Sequence, residues 1–231
     1  MRPDQPVAVP GIVRRLAGDA AVVAVWRNEL GGLTFHVGAD RYVKWTPVGD
    51  LAGEADRLRW ASRFTTVPRV LGHGTDGDGS WLVTAALPGR SAVDPYWIAR
   101  PDAAARAIGL ALRVLHDALP VAECPYDWGV AMRLGRAGVT GFADPPPVDR
   151  LVVCQGDPCA PNTLLHDDGT PAGHVDLGSL GVADRWADLA VAAMSTEWNH
   201  GPGHSGAVYA GYGVAPDAER IAYYRALWHA T

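Results

Sequence analysis

A chain of 231 residues with 48% hydrophobic and 19% charged residues is long enough to bury a core in one or two domains. Its net charge of -5 argues against nucleic acid as a partner and leaves room for a cationic small molecule. No apolar run reaches membrane-span length, residues 1–20 hold no signal-peptide core, and the three cysteines (Cys124, Cys154, Cys159) form no Cys-x-x-Cys pair. A reducing cytoplasm, without a disulfide framework, zinc site or membrane partner, is therefore expected.

The chain begins β-rich. Ala21–Trp26, Leu33–Val37 and Tyr42–Trp45 read as consecutive antiparallel strands, separated by turns at Asn28–Gly32 and Gly38–Asp40. Residues 51–63 read as a helix with Leu51, Ala55, Leu58 and Ser62 on one face and Glu54, Arg57 and Arg59 off it. Two more strands are expected at Val67–Leu71 and Ser80–Thr84, with Gly72–Gly79 as a loop between them. Ala104, Ile108, Leu112 and Leu115 then mark a helix ending near His116. Residues 135–150 read as a Gly/Pro-rich connection. Short strands are expected at 151–154, 163–166 and 172–175, with Asp167-Asp168-Gly169 turning between the last two. Asp184 is placed to cap a helix running to about Ser195, and Glu219–Trp228 to close the chain as a helix. The fold class is α+β: a β-rich N-terminal part over residues 1–86, then a mainly helical part over 87–231.

Two glycine strings, 72–77 and 201–206, fit Gly-x-Gly-x-x-Gly, but neither stands between a strand and a helix, so both read as loops. There is no P-loop. Phosphates then need another cradle, and the turn holding Gly31 and Gly32 suits one, because backbone N–H groups approach closely where no Cβ intervenes. Lys44 follows among Tyr42, Val43 and Trp45. An ammonium there needs anions, since burying it alone is costly; phosphates serve on one side and Glu54 on the other. Downstream stand Gly156-Asp157-Pro158-Cys159-Ala160-Pro161-Asn162 and Val175-Asp176-Leu177-Gly178. Asp157 is a candidate base for a substrate hydroxyl, and Asn162 and Asp176 are candidate oxygen ligands for a nucleotide-bound Mg²⁺. Singly, Lys44 would be a snorkelling surface lysine and Asp157 a turn residue. The ordered set of glycine turn, strand lysine, helix glutamate and Asp/Asn/Asp decides for a kinase-like nucleotide site. Asp184, Arg185 and Asp188 are expected to cap the helix and brace the metal loop. Cys159 has no neighbouring base to make it a nucleophile.

These segments, with Thr84-Ala85-Ala86-Leu87-Pro88-Gly89 and Leu180–Ala190, resemble the aminoglycoside phosphotransferase family, most closely its 3'-phosphotransferase branch of kanamycin and neomycin kinases, with streptomycin 3''-phosphotransferases as near neighbours. The resemblance implies a two-lobe protein-kinase-like fold. It also implies ATP held by Lys44 and by the hinge backbone at Ala85 and Leu87, Asp157 as base, and Mg²⁺ on Asn162 and Asp176. The acceptor would be a polycationic aminoglycoside bound near Asp157 and Glu197, and its phosphorylation would confer antibiotic resistance. The resemblance leaves open a kinase of another small hydroxylated amine and a non-catalytic kinase-like protein.

Three departures stand out. Gln155 replaces the histidine that usually precedes Gly-Asp, and a modest effect is expected. Ser179 stands where Arg commonly follows Asp-Leu-Gly, which removes a guanidinium and implies lower activity. Between Trp128 and Val152 roughly thirty residues of a mostly helical segment, part of the acceptor wall, are missing relative to that family.

Overall fold

Strict alternation at Leu33, Phe35 and Val37 buries three apolar side chains on one face of a strand, and the rest of the N-terminal part builds on it. In the computed structural model, which describes residues 7–28 and 31–231, strands β1 (Val22–Arg27), β2 (Leu33–Val37), β3 (Arg41–Thr46), β4 (Val70–Asp76) and β5 (Gly79–Ala85) form one antiparallel sheet in the order β1-β2-β3-β5-β4. A short helix, α1 (Gly11–Ala17), buries Ile12, Val13 and Ala17 in one apolar cluster with Phe35, Val43 and Val83. No periodic pattern that short announces itself in the sequence. Of the expected Asn28–Gly32 turn, residues 29 and 30 lie outside the described residues.

Two expectations fail here. The string 72–77 is strand rather than loop over most of its length, and β4 starts at Val70 rather than Val67. Gly74 lies opposite Trp81 on β5, whose ring would meet a side chain at Gly74 at 2.9 Å, so the bare glycines leave room for the tryptophan. Helix α2 (Ala52–Ala61) buries Glu54 with Ala55, Leu58, Trp60 and Ala61, whereas Ser62 is exposed. The carboxylate on the buried face is explained by its ion pair, described below.

The described residues of Met1–Arg63 with Val67–Leu87 make up this unit; Phe64–Thr66 with Pro88–Thr231 make up a second. The second contains helices α3 (Pro95–Ile98), α4 (Pro101–Ala118), α5 (Val130–Ala137), α6 (Trp186–His200), α7 (Ser205–Tyr212) and α8 (Ala218–Ala230). Its strands are β6 (Arg90–Ser91), β7 (Leu151–Cys154), β8 (Thr163–Leu165), β9 (Pro171–His174) and β10 (Gly181–Asp184), paired as β6-β8-β9 and β10-β7. The core gathers Ile108 and Leu112 of α4, Trp186, Leu189 and Ala193 of α6, Val208 and Tyr212 of α7, and Leu227 of α8. Helices α4 and α7 touch backbone to backbone. A Cβ on Gly109 would stand 2.0 Å from the Val208 carbonyl, and one on Gly211 2.0 Å from that of Arg106.

The expected Gly/Pro-rich connection 135–150 also starts later. Val130–Ala137 is helical, ended by Gly138 in the left-handed conformation at φ 68°, and only the residues after it are irregular. Helix α6 continues five residues past Ser195, and β10 and α7 add elements that short or glycine-rich segments concealed. Among the described residues, no helix is long and apolar enough to cross a membrane.

Candidate active site

Lys44 projects from β3 and Glu54 from α2, and the lysine Nζ lies 2.7 Å from the Glu54 Oε2. Glu54 is 8% exposed and Lys44 24%, so the pair is held largely out of water with the ammonium partly open. In the same unit the Gly32 N–H donates to Asn28 Oδ1 at 2.6 Å, and Gly31 adopts φ 83°. At the proposed hinge, the Ala85 N–H donates to the Arg69 carbonyl and the Ala86 N–H to that of Asp40. The Leu87 N–H has no hydrogen-bond partner among the described residues.

In the second unit the segment Gln155–Asn162 leaves the end of β7. Gln155 is fully buried and every polar group of its side chain is used. Its Nε2 donates to the Val175 carbonyl at 2.9 Å and to the Asp176 carbonyl at 3.2 Å, and its Oε1 accepts the Asp157 N–H at 2.5 Å. One side chain thus ties the segment carrying Asp157 to the loop carrying Asp176. Gly156 follows at φ 87°, and a Cβ there would meet the Ser179 carbonyl at 2.1 Å, so only glycine lets the two loops approach.

Asn162 ends a 3-10 turn, Ala160–Asn162. Its Nδ2 donates to the Asp157 carbonyl at 2.9 Å, which leaves the side-chain oxygen as the available ligand atom. Its own carbonyl accepts the Val175 N–H, setting it beside Asp176. Asp176 is the one non-glycine residue among the described residues with positive φ, at 60°, a conformation that costs energy and recurs at functional loops. The Asp157 Oδ1 is buried without a hydrogen-bond partner. Burial pushes the Asp157 carboxyl above its ordinary range, and the Asp176 charge pushes it the same way. A buried carboxylate with a spare oxygen, close to a second carboxylate and an amide oxygen, has the make-up of a site for a divalent cation and a hydroxyl to be deprotonated. The Cys159 thiol is pushed far up by burial and by Asp157, which makes it a poor nucleophile.

The bracing comes from residues the sequence did not single out, or assigned elsewhere. Asp188 was expected to brace the metal loop; it holds the Asp157 segment instead. Its Oδ2 accepts the Gln155 N–H at 2.6 Å and lies 3.0 Å from His116 Nε2, while its Oδ1 accepts the Gly156 N–H at 3.1 Å. His116 Nδ1 lies 3.0 Å from the Tyr212 hydroxyl, so a buried chain runs from α7 through α4 and α6 to the loop. Ser195, two turns beyond Asp188 on α6, accepts the Ala160 N–H at 2.9 Å. A histidine on the buried face of α4, four residues after Leu112, was the available signal for this network. His116, Asp188 and Cys154 lie close enough to suggest a metal trio, but the Asp188 oxygens are already occupied by these three partners. Asp184 was expected to cap α6; it stands one residue before the cap position, which Arg185 holds, and its Oδ1 accepts the Trp186 N–H, while Arg185 pairs with Asp149. Glu197, proposed for the acceptor, sits on α6 with its Oε1 3.4 Å from Arg225 of α8.

A five-stranded antiparallel sheet with a paired lysine, followed by a helical unit with a braced Asp/Asn/Asp set, defines a kinase-like phosphotransferase. The chain belongs to the phosphotransferase enzyme family, whose sequence profile matches residues 13–135 and 142–227. It is 37% identical over 212 positions to an aminoglycoside 3'-phosphotransferase of Streptomyces fradiae, covering 77% of this chain and 78% of that one. It is 34% identical over 244 positions to a streptomycin 3''-kinase of Streptomyces griseus, covering 87% and 89%. A solved aminoglycoside phosphotransferase from Streptomyces rimosus, in complex with ADP and streptomycin, superposes with a TM-score of 0.72 at 28% identity, covering 95% of this chain and 96% of that one. The chain is an enzyme of the aminoglycoside phosphotransferase class. The 212 aligned positions take in 77% of 231 residues, so about thirty positions of the Streptomyces fradiae relative meet no residue here. The family match itself is interrupted at 136–141, just after α5.

Proposed function

We propose that this chain transfers the γ-phosphoryl group of ATP to a hydroxyl of an aminoglycoside antibiotic, with the 3' hydroxyl preferred, and so confers resistance by removing a donor the drug needs. The observation that carries the reading is the buried, unpartnered Asp157 oxygen in a loop tied by one glutamine to Asp176. Residues 1–86 serve as the nucleotide-binding part and 87–231 as the catalytic and acceptor-binding part.

Lys44, fixed by Glu54, neutralises the α- and β-phosphates, with backbone N–H groups around Gly31 and Gly32 against the phosphates. The Leu87 N–H and the Ala85 carbonyl pair with the adenine edge. Asn162 and Asp176 would hold Mg²⁺, which when bound would offset negative charge on the transferred group. Asp157 orients the attacking hydroxyl and takes its proton. Its raised affinity for protons, from burial, suits a base that must accept one in the transition state. Glu197 attracts an ammonium group of the acceptor, which must compete with Arg225 for it. The kinase reading does not require the arginine commonly found at 179, because Gln155 and Asp188 hold the loop by other bonds.

The preference for the 3' hydroxyl follows the 37% relative; the streptomycin 3'' reading follows the 34% relative and is the second candidate. Incubation with ATP, Mg²⁺ and each drug, followed by NMR of the product, tests the choice. Phosphate on the 3' position of kanamycin or neomycin is the expected result, and phosphate on streptomycin alone would contradict it.

A further inference from the structure

Glu54 stands in the first turn of α2, the part of a helix that frays most easily, and the cap position is held by Leu51, whose side chain accepts no N–H. The turn that fixes Lys44 therefore takes its anchor from elsewhere. Ser80, near the start of β5 and 1% exposed, supplies it. Its Oγ accepts the Leu51 N–H at 3.0 Å in a buried position and lies 3.4 Å from Asp50 Oδ1, which itself accepts the Ala52 N–H at 2.9 Å. The Gly74 carbonyl on β4, 3.3 Å away, is a further acceptor for the hydroxyl. Ser80 pairs with Thr46 of β3, and Leu82, two residues on, pairs with Lys44, so Ser80 and Lys44 lie on the same face of the sheet. Gly79 lets β5 close on β3 at this point: at φ 141°, a Cβ there would meet the Thr46 carbonyl at 2.2 Å. One buried hydroxyl thus joins β4, β5 and the start of α2 beside the strand that carries the lysine.

We infer that Ser80 is a positioning residue for nucleotide binding: it holds the first turn of α2 against the sheet, so that Glu54 meets Lys44 and the ammonium is presented to the phosphates in one orientation. The inference rests on the reading of Lys44 as a phosphate ligand. Without the hydroxyl, the buried Leu51 N–H loses its acceptor, and the first turn loosens to reach another. Glu54 then moves with that turn, and a lysine no longer fixed by it must be reordered by the nucleotide on binding.

Calorimetric titration of the purified chain with ADP and Mg²⁺ is the test, because it needs no acceptor. Lys44→Met should weaken ADP binding about twentyfold and Ser80→Ala about fivefold. The double variant Lys44→Met/Ser80→Ala should bind ADP no more weakly than Lys44→Met alone, since Ser80 acts through the lysine. Asp50→Ala, at an exposed position, serves should Ser80→Ala not fold; it should weaken ADP about threefold, and again not at all beside Lys44→Met. Equal weakening by Ser80→Ala or Asp50→Ala in the wild-type and Lys44→Met backgrounds would mean a general loosening of the unit and would overturn the inference. Wild-type affinity in these variants, with Lys44→Met weakened, would remove this inference alone. Wild-type affinity in Lys44→Met would remove the reading of Lys44, and this inference with it.

Discussion

The segment from Leu151 to Ala190 and the connection from Gly138 to Arg150 belong to the same unit and are built in opposite ways. The first is clamped by buried side chains on three helices: Asp188 and Ser195 from α6, His116 from α4 and Tyr212 from α7. The second is mostly exposed: Tyr223 and Arg220 of α8 donate to the Ala143 and Pro147 carbonyls, and its end is anchored where Asp149 pairs with Arg185 and Arg150 with Asp117. The loop carrying Asp157 is thus held by many buried bonds and the connection by few. Loss of transfer and change of acceptor should therefore be separable by mutation.

Asp157→Ala offers the largest contrast. Removal of the base should lower kcat about 10³-fold or more while ADP affinity stays within about twofold, since the phosphate cradle is elsewhere. Stopped assays and calorimetry read the two quantities, and a parallel loss of ADP binding would break the division of roles. Asp188→Ala comes next. It strands the Gln155 and Gly156 N–H groups and His116, and should cost about 3 kcal/mol in urea unfolding, whereas changes at exposed side chains in 138–146 should not.

A pH effect follows from His174, buried on β9, whose proton affinity burial lowers from 6.5 to about 4. The unfolded chain binds a proton below pH 6.5 that the folded chain refuses, so stability present above that pH is lost as pH falls toward 4. The loss approaches about 3 kcal/mol. His174→Leu should flatten this acid limb, and an unchanged slope would contradict the assignment.

Gln155→Ala is expected to be milder, about tenfold in kcat, because the backbone bonds to Asp188 remain; Gln155→His should recover most of it. The smallest effect belongs to a Gly-Ser insertion after Gly141, which should change stability by under about 0.6 kcal/mol and leave ADP binding untouched. A change in relative rates among drugs after that insertion would show that the connection forms part of the acceptor wall.

The same contrast explains what the sequence disclosed. Asp157, Asn162 and Asp176 could be picked out together because they stand in two short neighbouring segments, and helix α4 because its apolar residues recur at helical spacing. The partners of Asp188 were misassigned because Gln155 and His116 stand 33 and 72 residues away, a distance no local pattern encodes. Gly72 and Gly74 looked like a loop because the Trp81 ring that requires them lies on the next strand. Glu54 was placed off the buried face of α2 by periodicity, yet its ion pair with Lys44 draws it inside.

Drug-dependent ADP release by the purified protein, with ATP and Mg²⁺ and with kanamycin, neomycin and streptomycin in turn, tests most directly the claim that this chain carries complete phosphoryl-transfer chemistry. The account predicts release with kanamycin or neomycin, abolished by Asp157→Ala. ADP bound with normal affinity but released with none of the drugs would contradict it, and would mean that the short connection leaves no acceptor site for them.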